Sequence, residues 1–136
     1  MKLTPELHAL LLVTIATVLM WVPYTIARTL KYGLWAAMAN PDPVNRPDAP
    51  WAERAKRAHA NAVENLVVFA PVVLVAALLN VSTSATVLAA QTYLVARLVH
   101  YLVYAAGIPI ARTLAFVVGV VATIVIAMAA LAQAAA

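Results

Sequence analysis

The sequence predicts an all-α integral membrane protein, with four spanning helices packed as an up-down bundle. Three observations carry that expectation. Hydrophobic residues make up 65% of the 136-residue chain and charged residues only 10%, far from the balance of a soluble domain. Four stretches are long and apolar enough to cross a bilayer, which takes roughly 20 residues at about 1.5 Å rise each. The links between the last three stretches are short, which makes consecutive helices antiparallel neighbours.

The spans read from hydropathy cover about residues 5–27, 58–79, 85–106 and 109–132, and they form a single domain of residues 1–136. The first is too long for the apolar region of a secretory signal, and no small-residue cleavage site follows it, so it is expected to remain as a helix. A polar segment of about residues 31–57 separates it from the second span. That segment holds the proline-rich run Asn40-Pro-Asp-Pro-Val-Asn-Arg-Pro-Asp-Ala-Pro50. Proline fixes φ and removes a backbone donor, so a loop with short extended pieces is expected there. The fourth span is rich in small residues, among them Gly119, Ala122, Ala127, Ala129 and Ala130, which let helix backbones approach closely in lipid.

Charge sets the orientation. Arg28, Lys31, Arg46, Arg54, Lys56 and Arg57 surround the first loop, Arg112 lies beside the last link, and only Lys2 falls at the opposite face. The excess of cations marks the loop side as cytoplasmic, with both termini across the membrane. Trp21, Trp35, Trp51 and Tyr32 are candidate interface anchors. The net charge of +4 forms no basic stripe with interleaved aromatics, so nucleic acid is not an expected partner.

Other chemistry is excluded by what is missing. There is no cysteine, hence no disulfide, thiolate ligand or cysteine nucleophile; any sulfur chemistry must use a substrate's thiol. His8, His59 and His100 lie on different helices at no ligand spacing, so no metal site is expected. Neither a glycine-rich phosphate loop nor a nucleophile elbow is present.

The remaining polar residues fall in two stripes. Arg57, Asn61 and Glu64 are spaced i, i+4, i+7 on one face of the second span. Arg97, His100 and Tyr104 are spaced i, i+3, i+7 on one face of the third, which runs back toward the loop side. The two stripes are therefore expected to meet at one level. Charged groups in spanning helices face protein or a wet cavity and mark candidate sites, here for a small anion. A blander reading stays open: Glu64 pairs with Arg57 or Arg97 to hold the bundle together, His100 is a packing residue, and Tyr104 is an interface anchor. Arg112, followed by Thr113 at the start of the fourth span, is equally readable as an anchor or as a permanent charge for a carboxylate or thiolate.

The segment Arg57-Ala-His-Ala-Asn-Ala-Val-Glu-Asn65, the Arg97-x-x-His100-x-x-x-Tyr104 face and Arg112, in a chain of four spans with a long first loop, resemble the MAPEG family, the membrane-associated proteins of eicosanoid and glutathione metabolism. The resemblance covers essentially the whole chain. It implies a homotrimer with glutathione as co-substrate in a cleft between subunits, and a lipophilic small molecule arriving from the membrane lipid. Carried over position by position, it implies glutathione contacts at Arg57, Asn61, Glu64, Arg97, His100, Tyr104 and Thr113, with Arg112 beside the thiol and Arg28 and Lys31 as further partners for the peptide's carboxylates. The implied activity is that of a transferase or peroxidase acting on lipophilic electrophiles or hydroperoxides; Ala60 points toward a transferase-like member. The alanine-rich character suggests a bacterial inner-membrane protein. The alternative is a non-catalytic protein of the same fold that binds lipid or a partner.

Overall fold

The structure, a computed structural model, describes residues 3–135; Lys2, the cation expected at the far face, lies outside the described residues. Helices α1 (Pro5–Leu19) and α2 (Trp21–Tyr32) form one span of 28 residues that breaks at Met20. Pro23 causes the break, because it has no N–H for the Leu19 carbonyl and its ring crowds the preceding turn. The Met20 carbonyl accepts a hydrogen bond from the Tyr101 hydroxyl at 2.8 Å. After Gly33, at φ +83°, comes the short helix α3 (Leu34–Met38). Helices α4 (Pro50–Leu78), α5 (Ser84–Ala106) and α6 (Pro109–Ala134) complete the chain, with no strand among the described residues. Four helical units are long and apolar enough to cross a membrane.

Two stretches differ from the reading of 31–57 as loop. Residues 34–38 are helical, and α4 starts at Pro50, eight residues before the hydropathic boundary at 58. Hydropathy misses this first part of α4 because it is amphipathic. Ala52, Ala55, Ala58 and Ala62 are buried on one face, while Arg54, Lys56 and Arg57 leave the opposite faces polar. Pro50 occupies the first turn, where its missing donor costs nothing.

The core is built from close contacts of small residues with a few large fillers. Val13, Phe69, Val73, Tyr93 and Ile126 are fully buried. The Phe69 and Tyr93 rings stack with centroids 3.6 Å apart and planes 3° from parallel. Gly119, Ala122 and Ala130 bury the inner face of α6, in keeping with the small-residue reading of that span.

Each end of the bundle is fastened differently. At one end the Glu6 carboxylate, 2% exposed, accepts from the Thr86 hydroxyl at 2.6 Å and the Ser82 hydroxyl at 3.1 Å. Glu6 lies in the first turn of α1 and Thr86 in that of α5, so two helix N-termini share one negative charge. At the other end Arg54 Nε donates to the Ala105 carbonyl at 2.9 Å, tying the start of α4 to the last turn of α5. Gly107 closes α5 at φ +82°, a conformation that favours glycine, and a Cβ there would lie 3.1 Å from Arg54 Nε and make that side chain give by a few tenths of an ångström.

The loop folds back on α2 and α4 through Asp48, which pairs with Arg28 at 2.8 Å and with Lys56. Lys31 Nζ and the Tyr32 hydroxyl both donate to the Pro47 carbonyl, at 2.9 and 2.7 Å. Burial pushes the Asp48 carboxyl up, but the hydrogen bonds and charges of Lys56 and Arg28 outweigh it and hold the group below its ordinary 3.8. A depressed folded-state value means that the stabilisation is present above the ordinary value and is lost as pH falls below it. Acidification below about pH 4 is therefore expected to release the loop, and Asp48→Asn to release it at neutral pH. Limited proteolysis between residues 39 and 49 measures this; cleavage of the variant is expected to be roughly tenfold faster, from the loss of about 1.4 kcal/mol of charged hydrogen bonding.

Candidate functional site

The inner face of α5 carries Tyr93, Arg97, His100 and Tyr104 in one line, at i, i+4, i+7 and i+11. Arg97 and His100 are buried, 2% and 3% exposed. Room for the Arg97 stem comes from Gly119 on α6: a Cβ there would meet Arg97 Cδ at 3.5 Å and the Tyr93 ring at 3.8 Å. Arg97 Nη2 donates to Asn61 Oδ1 on α4 at 2.8 Å, so the two polar stripes do meet, through this bond.

The composition of the cluster is one-sided. Arg97 has no carboxylate partner, and its Nε and Nη1 are buried without a hydrogen bond, as are His100 Nδ1 and the Tyr93 hydroxyl. A guanidinium in a spanning helix with most of its donors idle costs free energy and attracts an anion or ordered water. His100 meets the Tyr104 ring edge-on at 5.6 Å and the Phe116 ring at 6.3 Å. The Arg112 guanidinium lies 4.6 Å over the Tyr104 ring, which orients the charge without neutralising it. Tyr104 and Arg112 are half-buried and form the outer lip of this line.

On α4, Asn61 sits at the edge of the cluster, while Arg57 and Glu64 are exposed on the outward face. The pairing of Glu64 with Arg57 or Arg97, open in the sequence, does not occur within the protomer: among the described residues Glu64 forms no ion pair. A helical repeat shows which residues share a face but not whether a neighbouring helix covers it. Thr113 is exposed and donates its hydroxyl to the Pro109 carbonyl at 3.0 Å, on the outside of α6. Arg28 and Lys31 stand apart from the cluster, because α2 packs on α4 and not on α5 or α6, and both cations fasten the loop.

Two residues of the site, Tyr93 and Phe116, were not singled out in the sequence, and Gly119 was named there only as a small packing residue. Tyr93 was detectable, one turn before Arg97 on the same face. Phe116 carries no sequence signal of its own, since in an apolar helix it looks like any packing residue. No group of three or more metal-ligating side chains exists among the described residues.

The fold of four spans agrees with a comparison against family models: the model of the MAPEG family matches residues 7–132, nearly the whole chain. The chain belongs to the MAPEG family. It is thus an integral membrane protein of the family associated with glutathione and eicosanoid metabolism. No curated protein and no solved structure matches it significantly. In this MAPEG chain the apolar grooves lie away from the polar cluster. One of them, about 590 Å³, runs between α5 and α6 on the outer side, past Leu88, Val95, Val99, Leu114 and Val118.

Proposed function

We propose that the protein is a glutathione-dependent membrane transferase or peroxidase that activates the thiol as a thiolate, for attack on an electrophile or hydroperoxide dissolved in the bilayer. The observation that carries this reading is the cationic, acid-free cluster inside the protomer: Arg97 buried with idle donors, Arg112 at the lip and Arg57 on the adjoining face. Glutathione is a net anion with two carboxylates, one ammonium and a thiol. Arg57, Arg97 and Asn61 suit its carboxylates, and Glu64 suits its ammonium. Arg112, held over Tyr104, supplies the positive charge that favours thiolate over thiol at neutral pH. His100 and Tyr104 line the path between them.

Glu64 and Arg57 face outward, so a cleft using them closes only against a second copy of the chain. A homotrimer supports that arrangement, and it also covers two charged groups that would otherwise face lipid. The loop end, with Arg28, Lys31, Arg46, Arg54 and Lys56, belongs to the cytoplasmic side under the same reading. An inner-membrane location in a bacterium fits the composition.

The test is conjugation of glutathione to a lipophilic aryl halide by the reconstituted protein. The wild type is expected to turn over in a glutathione-dependent manner. Arg112→Ala should lower the rate about 100-fold, the usual effect of removing one electrostatic donor at a developing or stabilised anion. Turnover that persists unchanged in the variant would remove Arg112 from the mechanism.

A further inference from the structure

The loop end exposes an apolar surface that the bundle does not use. On α3, Leu34, Trp35 and Met38 fall on one face and are all exposed, Trp35 at 82%, while Ala36 and Ala37 turn toward the protein and are half-buried. Leu30 on α2 and Val44 in the loop extend the same exposure, at 82% and 85%. This foot follows directly on the end of a membrane span at Tyr32, so it lies at the level where hydrocarbon gives way to headgroups.

Charge decides what the foot meets. Lys31 is exposed, and its ammonium makes one hydrogen bond, to the Pro47 carbonyl, leaving donors free. Arg46 is exposed and forms no ion pair among the described residues. The acids of the loop are engaged elsewhere. Asp42 accepts from the Asn45 backbone at 3.0 Å and from its side-chain amide at 2.9 Å, and Asp48 is held between Arg28 and Lys56. The surface thus offers apolar side chains and the two cations Lys31 and Arg46 against the single carboxylate of Asp42, leaving a net positive rim. A second copy presenting the same surface would meet like charge, whereas an anionic leaflet offers the complement. The Asp48 and Pro47 contacts also fix the loop beforehand, which lowers the ordering cost of binding.

We infer that the Leu34–Met38 foot, with Lys31 and Arg46 beside it, is a docking surface for anionic phospholipid headgroups of the loop-side leaflet. The apolar face of α3 lies among the upper acyl chains, and the two cations hold phosphates at its rim. This surface is independent of the thiol site and stands whether or not glutathione binds.

The test uses the full chain with Trp21→Phe and Trp51→Phe, so that Trp35 alone reports. The protein is reconstituted in phosphatidylcholine vesicles containing a small fraction of acyl-brominated lipid, carried either on phosphatidylglycerol or on phosphatidylcholine. Brominated phosphatidylglycerol is expected to quench Trp35 more, with local enrichment of roughly fivefold for each engaged cation. Addition of Lys31→Gln and Arg46→Gln should reduce the two quenching curves to one, as should high salt. Both substitutions are at exposed positions, and the Tyr32 hydroxyl still donates to the Pro47 carbonyl in the variant. Equal quenching from both carriers in the parent protein would overturn the headgroup assignment. Quenching from neither would mean that protein covers the foot, a second copy included. A preference that survives the double substitution would equally overturn the role of the two cations.

Discussion

Arg97→Met is expected to weaken glutathione binding by about 30- to 100-fold while leaving the protein as stable as the wild type, or slightly more so. The binding loss corresponds to about 2–3 kcal/mol for a charged contact removed from a desolvated site. The stability expectation has the opposite sign because Arg97 is poorly satisfied in the folded protomer. It makes one hydrogen bond, to Asn61, and holds two buried nitrogens without partners. An unpaired charge within a span is costly, and methionine keeps the flexible stem that packs on Gly119. Equilibrium dialysis with labelled glutathione and thermal unfolding in detergent measure the two effects separately. If the cluster served only to hold helices together, the same variant would lose stability by 1 kcal/mol or more and there would be no binding to lose. The direction of the stability change therefore separates a ligand site from a structural one.

The second large effect concerns the core beneath the site. Phe69→Ala is expected to destabilise the protein by about 3–5 kcal/mol, since Phe69 is fully buried and stacks face to face on Tyr93. Tyr93 in turn packs beside Arg97 against Gly119, so the cavity also loosens the floor of the candidate site. Tyr93→Phe is the informative companion. It keeps the ring and removes a buried hydroxyl that has no hydrogen-bond partner, so its cost should be near zero or negative. Unfolding in mixed micelles followed by circular dichroism gives both values. A large loss in Tyr93→Phe would show that the hydroxyl has a partner when the protein lies in its bilayer.

The two polar stripes were readable from the sequence as stripes. Spacing placed Arg97, His100 and Tyr104 on one face, and opposite chain directions brought that face to the level of Asn61, where the Arg97–Asn61 bond is found. Spacing could not tell which face a neighbour covers. Glu64 shares a face with Arg57 yet looks outward and forms no ion pair among the described residues, because no other helix of the chain covers that face. Hydropathy located four spans but not the start of α4, where alanines are buried between charged residues and the average signal stays polar. Pro23 is a sequence signal for the break at Met20, although a proline in a span identifies no particular bend by itself. Glu6 carries no signal in the sequence for its role; its burial depends on Ser82 and Thr86, which lie 76 and 80 residues later, a pairing that no local pattern announces.

The central claim is that the protein holds glutathione as a thiolate under the charge of Arg112. Ultraviolet difference absorbance of the thiolate, recorded at neutral pH as glutathione is added to the detergent-purified protein, tests it most directly. The expected result is a saturable thiolate signal in the wild type that is lost in Arg112→Ala at matched protein concentration. A folded wild type that gives no signal at saturating glutathione, or a variant that gives the full signal, would contradict the claim.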